Sequence, residues 1–492
     1  MKLKKLLYKI DYQLLQGSDM IDIANLSYEF NKKIDDFVYV AIVGNNIDGH
    51  DYIDDAINNG ASVVVVSRNI KVSDNITVIM VEDTNKILSR LSMNYFDNPH
   101  EKIKTIAITG TKGKTTTSFM IKNILERAGY SLGIIGTIGI YIKDKYYESK
   151  NTTPISYDIL KYIDEMVKAG IEYVIIEVSS QALKYDRVNG ILFDYGVFTN
   201  LTMDHISDCE HSCMEDYVSS KAKLFRQCKV GIFNIDDGYC NIMMKDCTCK
   251  VNTYGYSKEA MLRVCKLDLY NEDDNFGINI LLDGVVKDKF RVSVPGKFSS
   301  YNAMCAIMVC NLLGIDISYM KEVLANFSVV GRCELIKISD KGKLFIDYAH
   351  NGVSTESILS MIREYNPKRI VTIFGCGGNR SKTRRYEMGE VAFKYSDMCI
   401  ITEDNNRFEE FLDIANDILE GTKGIECEYK IIPDRKDAIR YAIDNIQAGD
   451  VIMLLGKGHE TYKEVKGIRY PFDERVVIRE ILSENKNSSV NC

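Results

Sequence analysis

The residues best suited to do chemistry lie in one stretch, Thr105-Ile-Ala-Ile-Thr-Gly-Thr-Lys-Gly-Lys-Thr-Thr-Thr117. Between a strand and a helix, such a glycine loop becomes an anion site. Free amides and the positive helix end converge on a phosphate there. Lys114 would add a point charge and Thr115 a hydroxyl suited to Mg²⁺. The flanks agree: 105–109 is a β-branched run, and Phe119, Met120, Ile121, Ile124 and Leu125 have helical spacing from Lys114 onward. Ile108 stands where the general phosphate-loop pattern has a glycine. The competing reading is an ordinary βα turn; the strand and helix on either side favour nucleotide binding.

Other reactive side chains cluster where strands should end. Tyr173-Val-Ile-Ile-Glu-Val178 delivers Glu177, followed by Ser179, Ser180 and Gln181. A carboxylate beyond a parallel strand and near a phosphate loop is placed to hold Mg²⁺, although a salt-bridged strand end would look the same. Tyr195-Gly-Val-Phe-Thr199 runs into His205, which has the best context of the six histidines for a metal or phosphate role. A helix expected over 216–225 carries Lys221 and Lys223. Cys209-Glu-His-Ser-Cys213 lacks a second ligand pair at finger-like spacing, so zinc is not expected. Toward the C-terminus four strand-like runs end in Asp347 and His350, in Arg380, in Asp404, Asn405 and Arg407, and in Gly456 and Glu460. Two guanidiniums and a carboxylate on one sheet edge suit a zwitterion, the arginines forking onto a carboxylate and the glutamate holding an ammonium. A surface salt-bridge network is the bland alternative.

These groups imply an α/β protein with three domains: a small unit over 1–98, a doubly wound sheet over 99–333 and a third α/β unit over 334–492. In the first, 37–43 and 61–67 read as strands joined by a helix over 52–59. An irregular excursion is expected near 246–274, a hinge at Val330-Gly-Arg-Cys-Glu334, and a disordered tail after Glu484. The 492 residues carry a net charge of −7 with both signs interspersed, so nucleic acid and anionic membranes are not expected partners. No apolar run is long enough to span a bilayer, and the N-terminal apolar core is too short for a signal peptide. Fourteen cysteines without a scaffold rhythm fit reduced thiols, and a cytoplasmic location is expected.

Together, and in this order along nearly the whole chain, these stretches resemble the Mur ligases. That family comprises the ATP-dependent amide-forming enzymes of the peptidoglycan stem peptide; the likeness is to members adding its third residue. The resemblance implies a UDP-binding N-terminal domain, a central ATPase-like domain and a C-terminal Rossmann-like domain. It assigns Gly110, Thr111, Lys112, Gly113, Lys114, Thr115 and Thr116 to ATP, with Asn302, Arg332, Asp347 and His350 around the nucleotide. Thr115, Glu177 and His205 become Mg²⁺-associated, and Lys221 matches a lysine carried as a carbamate, an anion able to hold a second Mg²⁺. Ser27, Asn151, Thr152, Thr153, Ser179 and Arg187 match contacts to UDP-N-acetylmuramoyl-L-Ala-D-Glu. Arg380, Asp404, Asn405, Arg407, Gly456 and Glu460 match the pocket for meso-diaminopimelate.

The sequence departs from the family at several places. The uridine-side Asp-Ser-Arg reads Glu29-Phe30-Asn31, and the Asp-Asn-Pro-Arg signature reads Asp404-Asn405-Asn406-Arg407. Gln181 replaces a frequent histidine, and Asn379 and Ser381 replace acidic residues beside Arg380. Lys112 and Gln181 also occur in relatives that add lysine. Lysine lacks a second carboxylate, so it would leave Arg407 unpaired; diaminopimelate is therefore the expected amine. The implied reaction activates the D-Glu γ-carboxylate as an acyl phosphate before amine attack, with Lys114, Glu177, His205 and Lys221 as the catalytic set. A monomer is expected. Folylpolyglutamate synthetase, a plain P-loop NTPase or kinase, and a weakly active or inactive paralogue are the alternatives.

Overall fold

The computed structural model describes residues 1–44, 47–202, 211–272, 275–339 and 342–490. They form two compact units: the first holds 1–263, 283–286 and 301–323, the second 264–282, 287–300 and 324–492. The first unit opens with a five-stranded sheet in the order Gln13–Gln16, Thr77–Met80, Ala61–Val66, Phe37–Val40, Asn25–Ser27, parallel except for its first member. Val63 to Val66 are fully buried, as β-branched side chains covered on both faces should be. Side chains fasten this part of the chain to residues further along the same unit. The Tyr28 hydroxyl donates to Asp158 at 2.7 Å, Ser89 Oγ donates to Asn189 O at 2.6 Å, and the Phe96 and Tyr157 rings lie 5.4 Å apart.

The site rests on the next sheet. Eight of its eleven strands run in the order Lys250–Gly255, Cys228–Asn234, Phe193–Phe198, Lys104–Thr109, Tyr173–Glu177, Leu132–Gly136, and then the antiparallel Gly139–Ile142 and Lys145–Tyr147. Ile106 and Ile108 are fully buried in the strand Lys104–Thr109, so the glycine loop leaves from an interior strand of the sheet. Register pairs Ile108 with Glu177 and with Val197, which brings three strand ends level. The helix Lys114–Arg127 buries Met120, Ile121, Ile124 and Leu125 against the sheet, as the spacing predicts. The expected 216–225 helix is Met214–Ala222 continued by a tighter turn over Lys223–Arg226.

In the second unit Gly342–Asp347, Asp450–Leu455, Arg369–Phe374, Met398–Ile401 and Glu428–Ile431 are parallel neighbours in that order, with Glu334–Ser339 antiparallel at one edge. Four of the carboxyl ends are the expected ones, and they lie side by side. Two expectations fail. The described part of 246–274 is not irregular: it holds the strands Lys250–Gly255 and Leu262–Glu272, whose interspersed polar residues hid them. The polar tail is not without structure either, because the helix Glu474–Val490 runs through it. Extending a formed helix needs no new nucleus. That helix is anchored in its first turn by a buried pair, Arg435 to Glu474 at 2.7 Å, with Arg435 also donating to Leu455 O and Glu403 O.

Candidate active site

Gly110 has φ +148, and a Cβ there would lie 1.9 Å from Thr199 Oγ1, so only glycine lets the loop turn this closely. Beyond it the loop is held from one side. Thr111 N–H donates to Asn200 O and Lys112 N–H to Asn200 Oδ1, both at 2.9 Å; Thr199 Oγ1 donates to Lys112 O at 2.8 Å. Gly113 caps the helix in the left-handed region, and Thr117 N–H donates to Gly113 O as the first intrahelical bond. The amides of Lys114, Thr115 and Thr116, in the first turn at the loop's mouth, therefore have no intrahelical acceptor. Lys114 Nζ folds over that mouth, donating to Gly110 O at 2.7 Å and Thr111 O at 3.0 Å. Asn302 joins this group, its Oδ1 accepting from Thr117 Oγ1 at 3.4 Å.

Glu177 links the loop to a second cluster. Fully buried, it accepts from Thr115 Oγ1 at 3.0 Å and from Thr137 Oγ1 at 2.8 Å, and Thr137 Oγ1 lies 3.1 Å from Thr152 Oγ1. Gly136 is what allows this approach: a Cβ there would stand 2.4 Å from Glu177 Oε1. Thr153 is buried and donates to Glu177 O at 2.7 Å while accepting from Ser179 N–H at 2.9 Å; Arg187 donates to Thr153 O at 2.9 Å. Burial holds Arg187 below the usual guanidinium range. Thr152, Thr153, Ser179 and Arg187 thus gather beside Glu177, with Asn151 exposed at their edge. Ser27 is buried in the first sheet, its Oγ accepting from Glu29 N–H at 3.0 Å.

Lys221 is buried, donates to Gly110 O at 3.1 Å and lies 4.7 Å over the Tyr217 ring. Tyr217, which sequence reading passed over, shares a 2.9 Å hydrogen bond with Thr111 Oγ1. Thr137, just after the buried strand Leu132–Gly136, was also missed. His205 and Cys209 lie outside the described residues. Hard oxygens from one buried carboxylate and the Thr115 hydroxyl match what Mg²⁺ takes beside substrate phosphates. Among the described residues no cluster of three or more His, Cys, Asp or Glu side chains is arranged to hold a metal.

The second unit carries the remaining candidates. Arg332 lies 4.9 Å over the Tyr348 ring, and His350 Nδ1 is 2.8 Å from Tyr348 O. Asp347 accepts from Cys333 N–H at 2.7 Å and Ala349 N–H at 2.8 Å; burial raises its carboxyl, against the pull of Arg332 and those two amides. At the neighbouring strand ends the expected zwitterion pocket is more heavily charged than sequence suggested. Lys457, fully buried, donates to Glu460 Oε2 and Asn405 Oδ1, each at 3.2 Å, and stands 3.8 Å from Asp404. Asn405 Nδ2 donates to Glu460 at 2.9 Å. Arg407 is paired with Glu464 at 3.3 Å and donates to Gly378 O at 2.7 Å, whereas Arg380 is exposed. Gly456 faces the same group: a Cβ on it would stand 2.6 Å from Asp404 Oδ2.

Comparison with known proteins agrees with this geometry. The model of the Mur ligase family catalytic domain matches residues 35–100, that of the Mur ligase middle domain 108–310, and that of the Mur ligase glutamate ligase domain 331–458. The chain is 40% identical to the UDP-N-acetylmuramoyl-L-alanyl-D-glutamate--2,6-diaminopimelate ligase of Clostridium perfringens, over 98% of this chain and 99% of that one. The enzyme of the same name from Caldanaerobacter subterraneus subsp. tengcongensis is 39% identical, over 99% and 100%. A solved structure of a UDP-N-acetylmuramoyl-L-alanyl-D-glutamate--2,6-diaminopimelate ligase superposes with a TM-score of 0.71 at 23% identity, covering 99% of both chains. This chain belongs to the Mur ligase family of ATP-dependent ligases.

Proposed function

We propose that this chain joins meso-diaminopimelate to the D-Glu γ-carboxylate of UDP-N-acetylmuramoyl-L-Ala-D-Glu, converting ATP to ADP and phosphate in peptidoglycan precursor synthesis. The observation that carries the reading is the hydrogen-bonded line Thr115–Glu177–Thr137–Thr152, which puts a phosphate loop beside the segment assigned to the dipeptide. The relatives' names agree with it.

In this reading the loop amides and Lys114 hold the ATP phosphates, while Asn302, Arg332, Asp347 and His350 surround the nucleotide. Arg187, Ser179 and Thr153 hold the muramoyl dipeptide with its γ-carboxylate toward the terminal phosphate. That carboxylate attacks the phosphorus in line, ADP leaves, and the acyl phosphate is attacked by the amine with loss of phosphate. Thr115, Glu177, His205 and Lys221 as its carbamate would hold Mg²⁺, which neutralises charge on the phosphate oxygens. Arg380, Asp404, Asn405, Arg407, Gly456 and Glu460 present the amine. We further propose domains over 1–98, 99–333 and 334–492, a monomer, and a cytoplasmic location. Among the described residues no helix is long and apolar enough to cross a membrane.

The test is ADP release by the purified protein with the dipeptide nucleotide, ATP and Mg²⁺, comparing meso-diaminopimelate, L-lysine and no amine. Release that requires an amine and is most efficient with diaminopimelate, with the matching mass gain in the nucleotide, is expected. Release independent of any amine would favour a plain NTPase.

A further inference from the structure

We infer that Glu464 is a specificity-determining residue: it supplies Arg407 with a built-in carboxylate and so narrows the enzyme's preference between a diamino acid that bears a distal carboxylate and one that lacks it. The inference rests on the proposed function and concerns which amines that site accepts.

A guanidinium with no partner in a half-closed pocket is what should make lysine a poor substrate, since lysine brings nothing to pair with it. That penalty is absent here. Arg407 Nε lies 3.3 Å from Glu464 Oε2 with both side chains mostly covered, at 22% and 24% exposure. Arg407 also donates through Nη1 to Gly378 O at 2.7 Å. The guanidinium thus already holds a carboxylate and a carbonyl oxygen before any amine arrives, and it keeps both when the amine is lysine. A distal carboxylate must instead share Arg407 with a like charge. Arg380, exposed and without an ion pair among the described residues, is left to meet that carboxylate more fully.

The Glu464 side chain is not needed to hold the local fold. Its strand, Tyr462–Val465, is already fastened to the 404–407 turn by main-chain groups. Arg407 N–H donates to Glu464 O at 3.0 Å, Lys466 N–H to Arg407 O at 2.7 Å, and Glu464 N–H to Asn405 Oδ1 at 2.9 Å. Removing the carboxylate charge leaves all three bonds in place. The other acids of the pocket are committed elsewhere: Glu460 shares Lys457 and Asn405, and Glu403 takes Lys463 at 2.7 Å. Among them Glu464 is the one whose charge bears on Arg407.

The experiment measures kcat and KM for meso-diaminopimelate and for L-lysine in the wild type, in Glu464→Gln and in Glu464→Asp, with KM for ATP and for the dipeptide nucleotide as controls. The wild type is expected to use both amines, with kcat/KM within about tenfold of each other. Glu464→Gln should widen the ratio toward diaminopimelate by about tenfold, through KM for the amines and not for ATP. Glu464→Asp, which keeps the charge, should stay near the wild-type ratio. A wild type already strict for diaminopimelate, or a ratio unmoved in Glu464→Gln, overturns the inference and leaves the function standing. A wild type that ligates neither amine overturns the function, and the inference with it.

Discussion

Burying a carboxylate is costly, and for the fully buried Glu177 the two threonine hydroxyls that offset part of that cost both donate to one oxygen, Oε2. Glu177→Gln keeps the shape but removes the charge. It is expected to lower kcat by at least about a hundredfold with little change in melting temperature, read by ADP release and calorimetry on one preparation. Lys114→Ala removes the charge over the loop mouth and should cost about a hundred- to a thousandfold in turnover. Full ADP release and product formation in that variant would refute its role. Lys457 is different in kind, because its ammonium compensates Asp404 and Glu460 inside the proposed amine pocket. Lys457→Met leaves those acids without a cation; a loss of about 3–5 kcal/mol in stability is expected, together with a raised KM for the amine. Urea unfolding and amine saturation curves check the two parts separately.

At the level of elements, the helix Met214–Ala222 carries Lys221 and begins at a turn secured by Asp216. The hydrogen bond from Lys184, at 2.7 Å, is the main reason that Asp216 is held down to about 2. A depressed carboxyl contributes stability that is full above its unfolded value of 3.8 and is lost as pH falls toward about 2. Lys184→Met should therefore reduce stability at neutral pH and flatten its acid limb, as melting temperature against pH would show. The strands and helices that bear the phosphate loop, Glu177 and the four C-terminal strand ends were legible in the sequence. Their apolar runs are long, β-branched and punctuated by glycine. Leu262–Glu272 was not, because a strand with one polar face carries a weak signal in a segment rich in Cys, Asp and Lys. Thr137, Tyr217 and Lys457 escaped for another reason. Their roles arise from register between strands distant in sequence, and a threonine or lysine after a strand is too common to stand out. Arg407 was legible as a residue but not as half of a pair, since Glu464 arrives on a separate hairpin.

At the scale of the whole molecule, the chain is fastened at points far apart in sequence. Tyr28 and Asp158 join the first sheet to the one that carries the phosphate loop, and burial raises the Asp158 carboxyl although the tyrosine's hydrogen bond opposes this. Tyr28→Phe should cost about 1–3 kcal/mol and weaken the dipeptide nucleotide more than ATP. At the other end, the C-terminal helix depends on Arg435 and Glu474, so truncation beyond Glu484 should be tolerated far better than loss of that pair. The line through Glu177 has a thermodynamic consequence. One carboxylate touches Thr115 of the glycine loop and, through Thr137, Thr152 of the segment proposed to bind the dipeptide. Any ligand that reorients Glu177 from one side changes the free energy of binding on the other. Linkage then requires reciprocity: the factor by which ATP alters affinity for the dipeptide nucleotide must equal the factor by which that nucleotide alters affinity for ATP. Titration calorimetry in both orders should return one coupling factor, and Thr137→Val should bring it close to unity.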